Sequence, residues 1–136
     1  MTKDEAMDLI SDAGFGFLAT TEGSQPRVRP MMPYLTDEGK LLVALLGRSR
    51  SLNQIKQNPL VEICFVDRKM WYCRIAGKAK ISQDKEHRTI LWDNIPMLKQ
   101  YFGGVDDPNF HLMLVDIQEV EAMTPHQKVP EKIKLV

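Results

Sequence analysis

Hydrophobic and polar positions alternate along this chain in short, well-punctuated segments. Ala6, Met7, Ile10 and Ala13 recur at helical spacing, Thr2 and Glu5 have the spacing of a capping box, and Gly14 suits a helix stop. Residues 15–21 then read as a strand, ended by Glu22-Gly23-Ser24. Residues 27–34 form a second strand, and Pro26, Pro30 and Pro33 make it an edge or bulged one. After the turn Thr36-Asp37-Glu38-Gly39, residues 40–46 are an apolar run expected to be buried, completing an antiparallel meander. Ser51 and Gln54 have the spacing of a second capping box, for a short helix that Asn58-Pro59 ends. Residues 60–66 and 70–82 are the next strands, and Gly77 marks a bulge or bend in the latter. Helical spacing returns over 84–92 and 96–102, Gly103-Gly104 closes it, and 110–124 carry one or two final strands. Residues 125–136 are a polar tail in which Ile133, Leu135 and Val136 have docking potential.

The pattern predicts a mainly β domain of six to seven mostly antiparallel strands with short helices between them. That favours a small barrel over a doubly wound sheet. No repeat, low-complexity segment or linker interrupts the chain, so residues 1–136 are expected to form one domain.

Composition narrows the function classes. With 18 basic and 18 acidic residues the formal charge is zero, which counts against a general nucleic-acid or anionic-membrane binder. No apolar run approaches the roughly 20 residues of a membrane span. The polar start, Met1-Thr2-Lys3-Asp4-Glu5, carries no charged-then-apolar export signal, so a cytoplasmic protein is expected. Cys64 and Cys73 would face each other across a hairpin if its loop were Arg68-Lys69 alone. A cross-strand disulfide and two reduced thiols are the alternatives, and the missing export signal favours the thiols.

Charge is nevertheless arranged locally. Arg27 and Arg29 flank one strand position, Arg48 and Arg50 lie before the short helix, and residues 23–36 and 39–61 contain no acid. A helix start presents unpaired N–H groups that suit phosphate, Arg48 and Arg50 add planar donors, and Ser49 and Ser51 add hydroxyls. The competing interpretation is a solvated positive turn whose Ser51 only caps its helix. Arg27 and Arg29 share one face, either in solvent or beside an anion. Trp71 and Tyr72 can stack on a flat ring or pack in a core or interface, and Arg74 alternates with Tyr72. His87, His111 and His126 stand apart from other ligand types, so no metal site is expected. No nucleophile elbow, Gly-rich phosphate loop or acid–base pair is visible. An enzyme of this sequence would draw its chemistry from a cofactor.

Several runs together resemble the pyridoxamine 5′-phosphate oxidase-like flavoproteins, especially their small members. These are residues 15–20, Gln25 through Met31, 39–46, 54–64, 71–79, 106–110 and 121–123, in the family's order and spacing. The resemblance implies a split β-barrel, a homodimer with FMN in clefts at the subunit interface, and a small-molecule substrate. It implies that Arg29 holds the phosphate, with Arg27 on the same face, and that Pro30 and Met31 run beside the flavin ring. It places Leu45, Leu46, Gly47, Arg48, Ser49, Arg50 and Ser51 at the other phosphate contacts and Gln54 near them. Trp71 and Arg74 would cover the partner subunit's flavin. Relatives commonly carry Thr, Ser or Asn where this chain has Leu45-Leu46-Gly47, and a lysine in the segment of Arg48, Arg50 and Ser51. The leading expectation is an FMN-dependent oxidoreductase passing a hydride or electrons from a reduced donor to a small acceptor. The alternatives are a non-catalytic flavin- or haem-binding protein on the same scaffold and, less favoured, a nucleic-acid-binding small barrel.

Overall fold

A computed structural model describes residues 1–135. Helix α1 (Lys3–Ala13) starts in the expected capping box. Thr2 Oγ1 accepts from Glu5 N at 3.1 Å, Glu5 Oε1 accepts from Thr2 N at 3.2 Å, and Gly14 ends the helix at φ +72°. Strands β1 (Gly16–Glu22), β2 (Gln25–Met31), β3 (Tyr34–Leu35) and β4 (Leu41–Leu46) follow, then α2 (Arg50–Gln57), β5 (Leu60–Val66) and β6 (Tyr72–Ser82). The chain finishes with α3 (Lys85–Asn94), a 3-10 turn (Pro96–Gln100), β7 (Phe110–Met123) and β8 (Glu131–Lys132). All strand pairs are antiparallel. The mainly β expectation holds, and the two additional strands are two-residue pieces.

The order along the sheet is β2-β1-β5-β6-β7-β4-β3, with β8 also on β7. The expected meander is therefore corrected: β4 pairs with β7 and β3, not with β2. Met32-Pro33 breaks the predicted second strand into β2 and β3, which lie at opposite ends of the path. Two intervening residues span only roughly 10 Å between their flanking Cα atoms. The sheet must curl until its ends approach, which makes it a barrel split at that seam. The proline-bearing β2 is an edge strand, where missing N–H donors cost no ladder bond.

Side chains such as Leu18, Val43, Ile63, Phe65, Ile75 and Met113 fill the main core, and α1 adds Ala6, Leu9 and Ile10. Leu42, Leu112 and Leu114 project to the other side of β4 and β7, against Leu91, Ile95, Leu98 and Phe102. Burial on both faces explains the unbroken apolar run in β4. Gly77 sits at the β6–β7 irregularity, where an added Cβ would lie 2.3 Å from the Asp116 carbonyl oxygen. Gly77→Ala is expected to cost about 2 kcal/mol or more; an unchanged denaturation midpoint would contradict this packing.

Two local expectations are corrected. The β5–β6 loop contains Arg68, Lys69 and Met70, because Asp67 Oδ1 accepts from Lys69 N (2.8 Å) and Trp71 N (3.0 Å) and Met70 adopts φ +65°. The register consequently pairs Phe65 with Cys73 and Cys64 with Arg74. The cysteines point to opposite faces and are both free thiols. Burial pushes the Cys73 thiol up to about 12, and burial also raises that of Cys64. The second correction concerns α2: Ser49, not Ser51, is its N-cap, accepting from Leu52 N at 3.3 Å. In the tail, Leu135 docks into the core and Ile133 packs against it, while the Met1 ammonium pairs with Glu131. Val136 lies outside the described residues.

Candidate functional site

The β1–β2 register places Leu18 opposite Arg29, Thr20 opposite Arg27 and Glu22 opposite Gln25. These positions share one face, and α2 contributes Gln54 to it. Arg29 Nη1 donates to the Leu18 carbonyl (3.2 Å) and Thr20 Oγ1 (2.7 Å), and its Nη2 donates to Gln54 Oε1. Thr20 Oγ1 donates to Gln54 Oε1 at 2.6 Å, and Gln54 Nε2 donates to Glu22 Oε2 at 3.2 Å. Glu22 Oε1 accepts from Arg27 Nη2 at 2.9 Å and Arg50 Nη2 at 2.8 Å. Arg27, Arg29 and Arg50 thus converge on one cluster, as the sequence suggests. Thr20 and Glu22 belong to it too, although no local signal marks them.

The electrostatics follow from this geometry. Hydrogen bonds from Gln54, Arg50 and Arg27 lower the Glu22 carboxyl from its ordinary value of 4.5 to about 2. Burial lowers the Arg29 pKa, and the charges of Arg50 and Arg27 lower it further. A depressed carboxyl stabilises the fold above its unfolded pKa and loses that contribution as pH falls through its folded value. Stability is therefore expected to decline between pH 4.5 and about 2, less steeply in Glu22→Gln. Identical acid-denaturation profiles would contradict the linkage.

Not every candidate residue joins the cluster. Arg48 is exposed and, among the described residues, has no hydrogen-bond or ion-pair partner. Ser51 is buried beside Leu52, and Ser49 is occupied in capping. Gly47 donates to the Asn109 carbonyl at 2.9 Å, and a Cβ there would meet His111 Nε2 at 3.0 Å. Trp71 packs partly against the core under Lys69. Arg74 pairs with Glu121 at 2.8 Å and lies over Tyr72. Neither Trp71 nor Arg74 joins the arginine cluster within one chain.

An apolar groove of about 780 Å³ is walled by Pro30, Met31 and Met32, by Leu45, Leu46 and Ser49, and by Phe15 and Phe17. That volume is in the range of small-molecule sites. The segment after α3 supplies the opposite wall with Ile95, Met97, Leu98, Tyr101 and Phe102. Phe15 and Phe17 meet edge to face at 5.5 Å, and both remain about half exposed, as does Tyr101. The 95–102 wall is the part missed by the sequence reading, which places only a short helix over 96–102 and no site residue in it. One peptide step links groove to cluster on each side: Pro30 follows Arg29, and Arg50 follows Ser49. Another groove, of about 880 Å³, is bordered by Glu38, Lys40, Asp116, Glu119, Lys132 and Lys134 and contains none of the predicted residues.

Comparison with known proteins supplies an independent line. The profile of the pyridoxamine 5′-phosphate oxidase family matches residues 2–124. General stress protein 26 of Bacillus subtilis (strain 168) is 26% identical over 98% of this chain and 96% of its own. The crystal structure of General Stress Protein 26 from Bacillus anthracis str. Sterne has a TM-score of 0.83 at 25% identity, covering 98% of each chain. Two more distant structures share the fold. One is a pyridoxamine 5′-phosphate oxidase-related, FMN binding protein from Nostoc punctiforme (TM-score 0.72, 21% identity, 95% of this chain and 86% of that one). The other is a heme binding protein from Mycobacterium smegmatis (TM-score 0.77, 17% identity, 97% of this chain and 57% of that one).

Proposed function

Since the chain belongs to the pyridoxamine 5′-phosphate oxidase family, we propose that it is an FMN-binding flavoprotein acting as an oxidoreductase on a small molecule. One observation carries this reading: the two segments walling the apolar groove deliver Arg29 and Arg50 to a single anion-suited cluster. Of the five N–H donors of a guanidinium, Arg29 spends three on Leu18, Thr20 and Gln54. Among the described residues its Nε–H and second Nη2–H have no partner, and that edge grips an oxyanion side-on. Arg29 and Arg50 would hold the phosphate, while Pro30, Met31 and Leu46 would border the ring. Leu45-Leu46-Gly47 offers no side-chain hydroxyl, but Leu46 offers apolar contact in the groove. When bound, FMN supplies hydride or electron transfer; the protein's residues bind it, orient it and shield the ring face.

The groove is open, and Phe15, Phe17, Leu46, Met97 and Tyr101 are large apolar side chains exposed along it. A contiguous apolar surface of this kind fits burial against another copy. The functional unit is accordingly a homodimer with its cofactor at the interface, covered by the partner's Trp71 and Arg74. A monomeric solution mass with FMN bound would contradict that arrangement.

A haem-binding protein on the same scaffold is the rival reading, and the heme binding structure from Mycobacterium smegmatis is its support. The phosphate decides between them. FMN is expected to bind at least tenfold more tightly than riboflavin, because only FMN engages Arg29 and Arg50. Equal affinities for FMN and riboflavin, or preferential uptake of haemin, would overturn the FMN reading.

A further inference from the structure

Glu22 is an acid placed where an anionic ligand would sit. It projects from the end of β1, beside the two-residue turn Gly23-Ser24. It pairs with two guanidinium groups, those of Arg27 and Arg50. Its oxygens take donors that a phosphate would use: Arg27 Nε and Nη2 and Arg50 Nη2 on Oε1, and Gln54 Nε2 on Oε2. Arg27 therefore spends its side-on edge on this carboxylate. Gln54 and Thr20 are fixed by burial, at 4% and 2% exposure, whereas the Glu22 side chain is 41% exposed and stands at a hairpin tip. Thr20 and Gln54 form the buried floor of the cluster, whereas Glu22, Arg27 and Arg50 stand at its rim with side chains 41%, 41% and 71% exposed, so the acid has room to leave its partners.

We infer that the Glu22 carboxylate is a built-in occupant of the anion seat, which a phosphate monoester enters by displacing it from Arg27, Arg50 and Gln54. This rests on the anion-seat reading above and adds a determinant of ligand class. A tethered carboxylate competes at high effective concentration. It carries one charge and two oxygens, whereas a phosphate monoester carries nearly two charges and three terminal oxygens at neutral pH. The monoester displaces Glu22; a diester or a carboxylate, with a single charge, does not. Glu22 thereby makes the seat selective for terminal phosphate and lowers the affinity for every ligand that uses it.

The test is calorimetric titration of wild type, Glu22→Gln and Glu22→Ala with inorganic phosphate, FMN and riboflavin, after circular dichroism confirms that all three proteins are folded. Both variants are expected to bind inorganic phosphate and FMN roughly tenfold or more tightly than wild type, with riboflavin unchanged. Unchanged or weaker phosphate binding in both variants would overturn the inference, because Glu22 would then be positioning the arginines rather than competing for them. Tighter phosphate binding with no FMN binding would uphold the displacement and defeat the FMN reading instead. Failure of every protein to bind phosphate or FMN would overturn both.

Discussion

Arg29→Ala is expected to weaken FMN binding about 100-fold, while Arg48→Ala leaves it within about twofold. The difference follows from where the two side chains lie. Arg29 is half-buried, its orientation is fixed by the Leu18 carbonyl, Thr20 and Gln54, and its free edge is available to an oxyanion. Truncating one partner of a desolvated, charge-assisted pair costs roughly 2–5 kcal/mol, and 100-fold is within that span. Arg48 is exposed and takes no part in the cluster. A long cation in solvent contributes little to a bound anion through screened water. Arg29→Lys separates charge from geometry: it keeps the charge, loses the planar fork, and is expected to fall between wild type and Arg29→Ala. Equal losses in Arg29→Ala and Arg48→Ala, measured by flavin fluorescence titration, would mean that the phosphate lies elsewhere.

Arg88→Met is expected to destabilise the protein by about 3 kcal/mol, or roughly 10 °C in melting temperature. Arg88 is 8% exposed and, among the described residues, has no carboxylate partner. Its Nε donates to the Val105 carbonyl at 2.9 Å and its Nη2 to the Asp107 carbonyl at 3.1 Å. Its Nη1 donates to Gln83, and its guanidinium lies 4.8 Å over the Phe110 ring. Phe110 in turn stacks on Phe102 at 4.8 Å. Arg88 therefore ties the loop after the 3-10 turn to α3 and supports the aromatic wall of the groove. Methionine matches its length but leaves two carbonyls without these donors, each costing about 1–3 kcal/mol if left unpaired in the interior. A thermal midpoint within two degrees of wild type would show that the loop finds other donors. Arg88→Met is also expected to weaken FMN binding through Phe102 and Tyr101, even under conditions where it remains folded.

The sequence disclosed local structure better than long-range arrangement. Thr2 and Glu5 predicted the start of α1 because a capping box is complete within four residues. Gly77 predicted the irregularity in β6 because only glycine allows that approach to Asp116. The local errors came from places where a side chain sets the backbone geometry. Asp67 binds two backbone N–H groups and lengthens the β5–β6 loop, which moved Cys64 out of register with Cys73. Ser49 took the cap expected of Ser51 because the Arg50 backbone is already helical. That shift released Gln54 from the expected capping role and put its amide in the arginine cluster.

Strand order was less legible. β4 reads equally well beside β2 or β7, and only the path around the barrel decides. The same limit hid Glu22, which is separated from Gln54 by 32 positions and meets it only because α2 packs over β1. Asp107 depends on the fold in the same way: its carboxylate accepts from Gly103 N (2.8 Å) and Asn109 N (2.9 Å), bonds that lower its pKa and shape the loop. The arginines were visible as clusters because they are close in sequence. Their common target was not, because it is defined by the fold.

The most direct test of the flavin reading is a visible absorbance scan of the purified protein, followed by titration with FMN. The account predicts flavin absorbance as purified, or saturable FMN uptake that shifts the flavin spectrum and quenches its fluorescence. A colourless protein that leaves the spectrum and fluorescence of added FMN unchanged would contradict it.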